Sequence, residues 1–485
     1  MARRDSFIEH LLRRAGFGAS PAEMEYYAEL GYPATVELLL SPEQVTDTVD
    51  GKIGVPGYVG VTTRGQFLPH QNITDARQRW LFRMVHTERP LQEKMVLYWH
   101  HHFATAYTKI AGVVGAVEAT RMLAAKTGED SGGVKGQLEM IREYALGNFR
   151  DFLVEMAKDV AMNVWLDGRT NTRARPQENF AREVMELFTM GIGNYTEADV
   201  YAGARVFTGW NMRRVGATGD PATKYEFFYN SAQHDTTAKT FTFPIYADGG
   251  TTIPARAAAS GMQDGLDFID AVVRHPATGR RLARRFWAFF VSEVSEPPTS
   301  WVEAVAAAYY STNYSIKAML RVVFHSHEFL AIEHRFARYS WPVEFVVRAI
   351  KETGWTGFSV NDTLTPLVNM GQQLFEPPDV NGWETGPGWF STGGSLARLN
   401  FAAQLATNQR FNLRNDARGQ ASTPQALLSY ALDRWSPMEY DRGPYEELLT
   451  YLRAGGNWTG SDAQLLTKVP GLVHLMLGSS EYQFA

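Results

Sequence analysis

The stretch Arg173-Ala-Arg-Pro-Gln-Glu-Asn-Phe-Ala-Arg-Glu-Val-Met-Glu-Leu-Phe-Thr-Met-Gly-Ile-Gly-Asn-Tyr-Thr-Glu197 decides how the chain is read. Pro176 suits a first helical position, where a missing N–H is tolerated, and Gly191 suits a helix end. Between them Phe180, Val184, Leu187 and Phe188 recur at i, i+4, i+7 and i+8, one core-facing stripe. At roughly 100° per residue, Asn179, Glu183 and Glu186 fall together on a flank of that stripe. Glu178 and Arg182 form an acid-first i, i+4 pair on the other side. Two readings stay open. The flank is paired to arginines elsewhere, or its carboxylates are held for metal or proton work, since partial burial makes such groups useful.

Helical periodicity extends outward from this stretch in both directions. Residues 5–15 read as a helix ending at Gly16-Phe-Gly18, and Ser20-Pro-Ala-Glu23 gives a capping-box start. Residues 33–40 form another short helix, and 45–70, rich in Gly, Val, Thr and Pro, form an irregular crossing. Helices follow from about Asp75 to Val85, from Leu91 into Trp99, over 111–125, and as a pair over 136–159 hinged at Gly147-Asn148. Thr196-Glu-Ala-Asp199 is a second capping box. Residues 211–260 change character. Runs Tyr225–Tyr229 and Lys239–Phe243 suggest a hairpin around Gln233-His-Asp-Thr236. Helical periodicity resumes from 262, is interrupted by a Gly/Pro/Trp-rich loop over 371–394, and continues with breaks at Ser436-Pro437, Gly443-Pro444 and Gly455-Gly456. The expected fold is mainly α, one large helical domain with a small β-containing insertion. Residues 1–210 and 261–485 build its core, and 211–260 form the insertion.

The 485 residues are 45% hydrophobic and 20% charged, enough material for a large core, and the net charge of −5 favours no nucleic-acid partner. The chain has no cysteine, which excludes disulfides, thiolate metal sites and cysteine nucleophiles. Twelve tryptophans and 13% aromatic residues fit a packed interior or an aromatic-lined cleft. No run of about 18 apolar residues is present, so no membrane span is expected. Glu9, Arg13 and Arg14 interrupt any apolar leader after the basic residues of Met1–His10. The chain as written therefore reads as cytoplasmic; a leader removed from the natural protein is the alternative.

His100-His101-His102 stands out. In a helix, His100 and His102 point about 160° apart and cannot share a metal; in an extended run they lie on one side and can. His234-Asp235 with Lys239, at the expected hairpin tip, reads as ligands or acid/base partners beside an anion-binding lysine, or as a solvated loop. Phe375-Glu-Pro-Pro-Asp-Val-Asn-Gly-Trp383 through Trp389 reads as a clamp on the core or as one wall of a substrate cleft. His325-Ser-His327 is taken into a continuing helix. Arg280, Arg281, Arg284 and Arg285 are taken as partners of acidic helices. P-loop, dinucleotide-binding and nucleophile-elbow motifs are absent.

Several blocks resemble one family, the large bacterial family of uncharacterised proteins called DUF1800. They are His10-Leu-Leu-Arg-Arg-Ala-Gly-Phe-Gly18, Glu93-Lys-Met-Val-Leu-Tyr-Trp-His-His-His-Phe-Ala-Thr105 and Gln177–Thr196. Phe207-Thr-Gly-Trp210, His234-Asp235 with Lys239-Thr240, and Pro377-Pro-Asp-Val-Asn-Gly-Trp383 follow in order. The resemblance implies no particular activity, and members often carry an export signal. In the second block the middle histidine is commonly another polar residue, so the resemblance favours His100 and His102 over His101.

The functional expectation is a divalent-metal-dependent hydrolase or oxidoreductase. His100, His102, His234 and Asp235 would be ligands to a transition metal. Glu183 or Glu186 would be the general base, Arg182 or Lys239 would neutralise charge, and Asn179, Trp383 and Trp389 would contact a small-molecule or polymeric substrate. Metal-free acid/base chemistry by Glu183 with His102 is a further reading. The alternative from another class is a non-catalytic assembly or binding protein whose tryptophan-rich loop holds a partner.

Overall fold

The Pro90–His102 helix is the rod about which the chain is laid. A computed structural model describes residues 6–217, 220–435 and 442–485. Along this helix every residue except Gln92 is buried, although the sequence includes Glu93, Lys94 and three histidines. Polar groups taken out of water on all sides need partners, and the surrounding helices supply them. Glu93 accepts from Arg142 at 2.7 and 3.0 Å and from Arg83 at 3.3 Å, and all three side chains are almost fully buried. These two arginines hold its carboxyl below the ordinary range against the burial that would raise it. Lys94 pairs with Glu344 and donates to the Gly16 carbonyl at 2.8 Å. Burial brings its ammonium down to about 8, while Glu344, beside Arg338 and Lys94, is held at about 2.

These contacts tie both halves of the chain to one rod. Ser6–Ala15, Tyr32–Leu39, Ile73–His86 and Gln137–Tyr144 pack on it directly. Pro342–Thr353 packs against Ile73–His86 and Thr392–Asn408, and the last of these lies along Asp462–Gly478. One buried apolar cluster runs from Ile8 to Tyr482 and includes Phe241, Phe243 and Ile253 of the insertion. The fold is mainly α, as the periodicity implied, with two small antiparallel pairs of strands among the described residues. Both capping boxes form, at Ser20 with Glu23 and at Thr196 with Asp199.

Five local expectations are corrected. The strands are β1 (Trp210–Val215), β2 (Lys224–Tyr229), β3 (Lys239–Thr240) and β4 (Thr252–Ile253), and β1 pairs with β2 while β3 pairs with β4. No hairpin forms around residues 233–236. Gln233 O there accepts from the Arg173 N–H and His234 is anchored to Thr208, which turns β3 away from β2. The central helix starts at Asn179 rather than Pro176, because Thr172 and Arg175 close a turn and the Gln177 N–H is taken by Asn171 Oδ1. From Val184 to Phe188 it widens into a π-helix, with Thr189 Oγ1 donating to the Val184 carbonyl at 2.5 Å. The 111–125 region breaks into two helices at Gly115, whose φ of +90° suits glycine. The helix through His325 stops there, because Ser326 caps a new one beginning at His327. Gly443-Pro444 opens the Arg442–Arg453 helix instead of breaking one. Ser436-Pro437 and the first five residues lie outside the described residues.

Removing the Glu93 charge takes away the one fully buried acid that Arg83 and Arg142 share and leaves them the partly exposed Asp47, Asp50 and Glu139, a loss of about 3 kcal/mol for a broken buried pair. Glu93→Gln is therefore expected to lower the urea midpoint sharply with an unchanged slope, and a cost below about 1 kcal/mol contradicts the central placing of this pair.

Candidate functional site

The rod ends where a cleft begins. The cleft has two compartments, of about 690 and 770 Å³. Leu187, Arg281, Arg285, Ala288 and Glu293 line both, so they form one continuous space. Two helices meet there, and each turns π-helical at the cleft. Leu187 belongs to the Val184–Phe188 π turn, and Ala288 to the Trp287–Val291 turn that continues the Pro276–Phe286 helix. Such wide turns inside helices occur often at functional sites. The third wall is the Pro378–Pro387 loop.

Because the Pro90–His102 helix stays helical to its last residue, its three histidines diverge. His100 is packed among Trp80, Phe375 and Trp383, ring centroids 5.1–5.6 Å apart for its three contacts with them and their own, and neither ring nitrogen has a partner. Burial brings it down to about 3. His101 and His102 line the inner compartment. The Trp383 N–H donates to His101 Nδ1 at 3.0 Å, which leaves the proton of a neutral ring on Nε2. Gly382 lets the loop come this close, since a Cβ there would sit 2.3 Å from His101 Nδ1 and its φ is +92°. His102 Nε2 donates to the Phe188 carbonyl at 3.1 Å, so Nδ1 carries the free lone pair of a neutral imidazole. That nitrogen is buried and has no partner, while burial and the nearby Arg285 and Arg281 keep the ring neutral well below its ordinary range.

Of the four arginines expected to partner acidic helices, one does so among the described residues. Arg280 does pair with an acid, Glu303, at 2.7 Å. Arg281 and Arg285 face the cleft instead and make no ion pair among the described residues; Arg281 reaches only the Leu187 carbonyl, at 3.4 Å. Arg284, also without an ion pair among the described residues, lines the outer compartment. Glu293 sits at the junction and accepts from the Tyr339 and Gly386 N–H groups at 2.9 Å each. Burial raises its carboxyl despite Arg338.

The residues expected to share a metal do not come together. His100 faces the aromatic core and His102 the cleft. His234, fully buried, donates through Nδ1 to Thr208 O (2.8 Å) and sets Nε2 3.2 Å from Asp264, and Asp264 also binds Lys239 at 2.5 Å and Arg256 at 2.8 Å. Asp235 is taken by Arg205 at 2.8 Å, which holds its carboxyl far below the ordinary range. These three side chains fasten the insertion to the helical core, and Lys239 is an ion-pair partner there, not an anion site. Among the described residues no group of three or more His, Asp or Glu side chains is arranged to hold a metal ion.

The central helix contributes less than its pattern suggested. Arg182 is spent on Glu178 and Glu197, and Asn179 on Asp167 at 3.1 Å. Glu186 lines the outer compartment and accepts from the Tyr195 hydroxyl. Glu183, half-buried and beside Glu186, is raised to about 7 but lines neither compartment. Trp383 does form part of the cleft wall, whereas Trp389 is buried behind it against Trp341. With Trp383 4% and Trp389 2% exposed, the loop offers no tryptophan surface to a partner.

The chain belongs to the family described as Protein of unknown function (DUF1800), whose model matches residues 10–484. No curated protein and no solved structure matches it. No helix among the described residues is long and apolar enough to cross a membrane.

The buried histidines fix a pH dependence. His10, His100, His101 and His102 stay neutral in the fold but protonate near 6.5 once unfolded. The unfolded chain then binds more protons, so stability falls as pH drops below about 6.5. Asp159 and Glu183, each raised to about 7, act in the opposite sense between about 4 and 7, but the four histidines outnumber them. The melting temperature is expected to fall between pH 7 and 5, and His100→Phe, which removes two unpartnered nitrogens from an aromatic pocket, is expected to reduce that slope. An unchanged slope contradicts a neutral, buried His100.

Proposed function

We propose that this protein binds a small organic anion in the cleft and takes a proton from it without a metal ion. His102 acts as base through Nδ1, and Arg281 and Arg285 hold the negative charge. The observation that carries this reading is the His102 ring, which lines the cleft with Nε2 committed to a backbone carbonyl and Nδ1 unpartnered, beside two guanidinium groups that make no ion pair among the described residues. A base works best with its pKa near the working pH. Burial and the two arginines hold His102 too low for that when the cleft is empty. A bound anion offsets the arginine field and lets the imidazole rise, so the substrate itself raises the basicity of the group that acts on it. Glu293, raised by burial and placed where the compartments join, is the group suited to return the proton.

The metal-dependent reading asks for several donors within reach of one ion; among the described residues no such group of three forms, and His234 and Asp235 are already bonded. Glu183 with His102 is the nearer relative of the present reading, with the glutamate replaced by the arginine pair as the partner of the imidazole.

Phosphate or citrate, added at constant ionic strength, is expected to raise the melting temperature by at least ~1 °C. The rise should vanish in Arg281→Gln/Arg285→Gln, and its absence in the wild type contradicts an anion site. In a screen of carboxylated and phosphorylated substrates, His102→Asn should keep the anion-dependent rise and lower kcat at least ~10²-fold. An unchanged kcat contradicts the base assignment.

A further inference from the structure

The inner compartment carries charge of both signs on separate walls. Arg281 and Arg285 stand on the helix wall. Opposite them the loop presents Asp379 and Glu384, both exposed and both lining the same space. Opposite charges sharing a cleft usually pair, yet neither carboxylate makes an ion pair among the described residues, and neither do these two arginines. Asp379 Oδ1 accepts only the Asn381 N–H, at 2.7 Å, which stiffens the turn and leaves Oδ2 free of that duty. Glu384 makes no hydrogen bond among the described residues. The walls are held apart by built structure. Gly382 seats the loop on His101, Glu293 fastens it at Gly386, and the arginine helix runs into its own π turn. The His101 and His102 rings line the same compartment, and His102 Nδ1 has no partner.

We infer that the ligand of this compartment is dipolar, with a carboxylate or phosphate on the Arg281–Arg285 wall and a protonated amine on the Asp379–Glu384 wall. This inference rests on the anion-binding reading above and adds the second pole. A purely anionic ligand faces repulsion from the loop carboxylates, and a purely cationic one faces repulsion from the arginines. A molecule with both groups on a short span satisfies each wall and is selected against both singly charged relatives. Amino acids, amino-sugar acids and the ends of short peptides share this chemistry. With the amine anchored on the loop, the atoms between the two poles share the compartment with the His101 and His102 rings.

Linear ω-amino carboxylates from glycine to 6-aminohexanoate test this directly, with hexanoate and hexylamine as singly charged controls and calorimetry as the readout. At least one ω-amino carboxylate is expected to bind ten-fold or more tightly than hexanoate, with a maximum at one chain length set by the wall spacing. Asp379→Asn/Glu384→Gln, two exposed positions, should abolish that advantage and leave hexanoate binding unchanged or stronger. Equal affinity for hexanoate and every ω-amino carboxylate overturns the dipolar ligand while the anion site stands. Binding of hexylamine alone, or of none of the probes, overturns both.

Discussion

A helix buried on every face can carry charged residues only if the rest of the protein is arranged around those charges. The Pro90–His102 helix sets this constraint. Glu93 requires Arg83 and Arg142 on one side, and Lys94 requires Glu344 on the other. Each of these pairs carries a desolvation penalty that only good geometry offsets, so the pairs define one register for the rod far more than they add to net stability. Arg83 and Arg142 come from the N-terminal half and Glu344 from the C-terminal half. The rod is therefore the place where the two halves are locked together, and its last turn is carried to one fixed position.

That position is the mouth of the cleft. Three consecutive histidines on a helix end cannot act as a unit, because each looks in its own direction. One is consumed by aromatic packing, and two reach the same space with complementary hydrogen-bonding roles. The roles are dictated from outside the helix, by the Trp383 N–H for His101 and by the Phe188 carbonyl for His102. The Phe188 carbonyl is available because it closes its helix at the end of a π turn, where the last carbonyls have no intrahelical partner. A second π turn brings Ala288 and Phe289 to the opposite side. The cleft is thus built from departures from regular geometry at the ends of three elements.

Regular geometry is what a sequence displays best, and this explains which expectations held. The helical class, both capping boxes, the hinge at Gly147-Asn148 and the irregular crossing before residue 70 followed from local chemistry that acts within a few residues. The loop over 371–394 was visible as Pro and Gly punctuation, and it packs Trp389 against the core while its residues 378–387 line the cleft. The site was less visible. Glu183 and Glu186 were placed by a 3.6-residue period that the π turn interrupts, and of the Glu-Asn flank only Glu186 lines the cleft. His234, Asp235 and Lys239 were chemically suggestive, but Asp264 and Arg205, distant along the chain, bind them. Arg281 and Arg285 were read as ion-pair partners because the net charge is negative, and nothing local showed that the acids sharing their cleft would stay unpaired with them. Their adjacency to the aromatic run Trp287-Ala-Phe-Phe was the available signal, a cationic turn entering a hydrophobic one.

The account turns on the state of a single ring. Nitrogen-detected NMR of ¹⁵N-histidine-labelled protein, with His102→Gln for assignment, reads both its tautomer and its titration. The account predicts a neutral ring protonated at Nε2 between pH 5 and 7, whose Nδ1 resonance moves and whose pKa climbs when phosphate is added. A ring protonated at Nδ1, or one that titrates near 6.5 in the phosphate-free protein and ignores the anion, contradicts it.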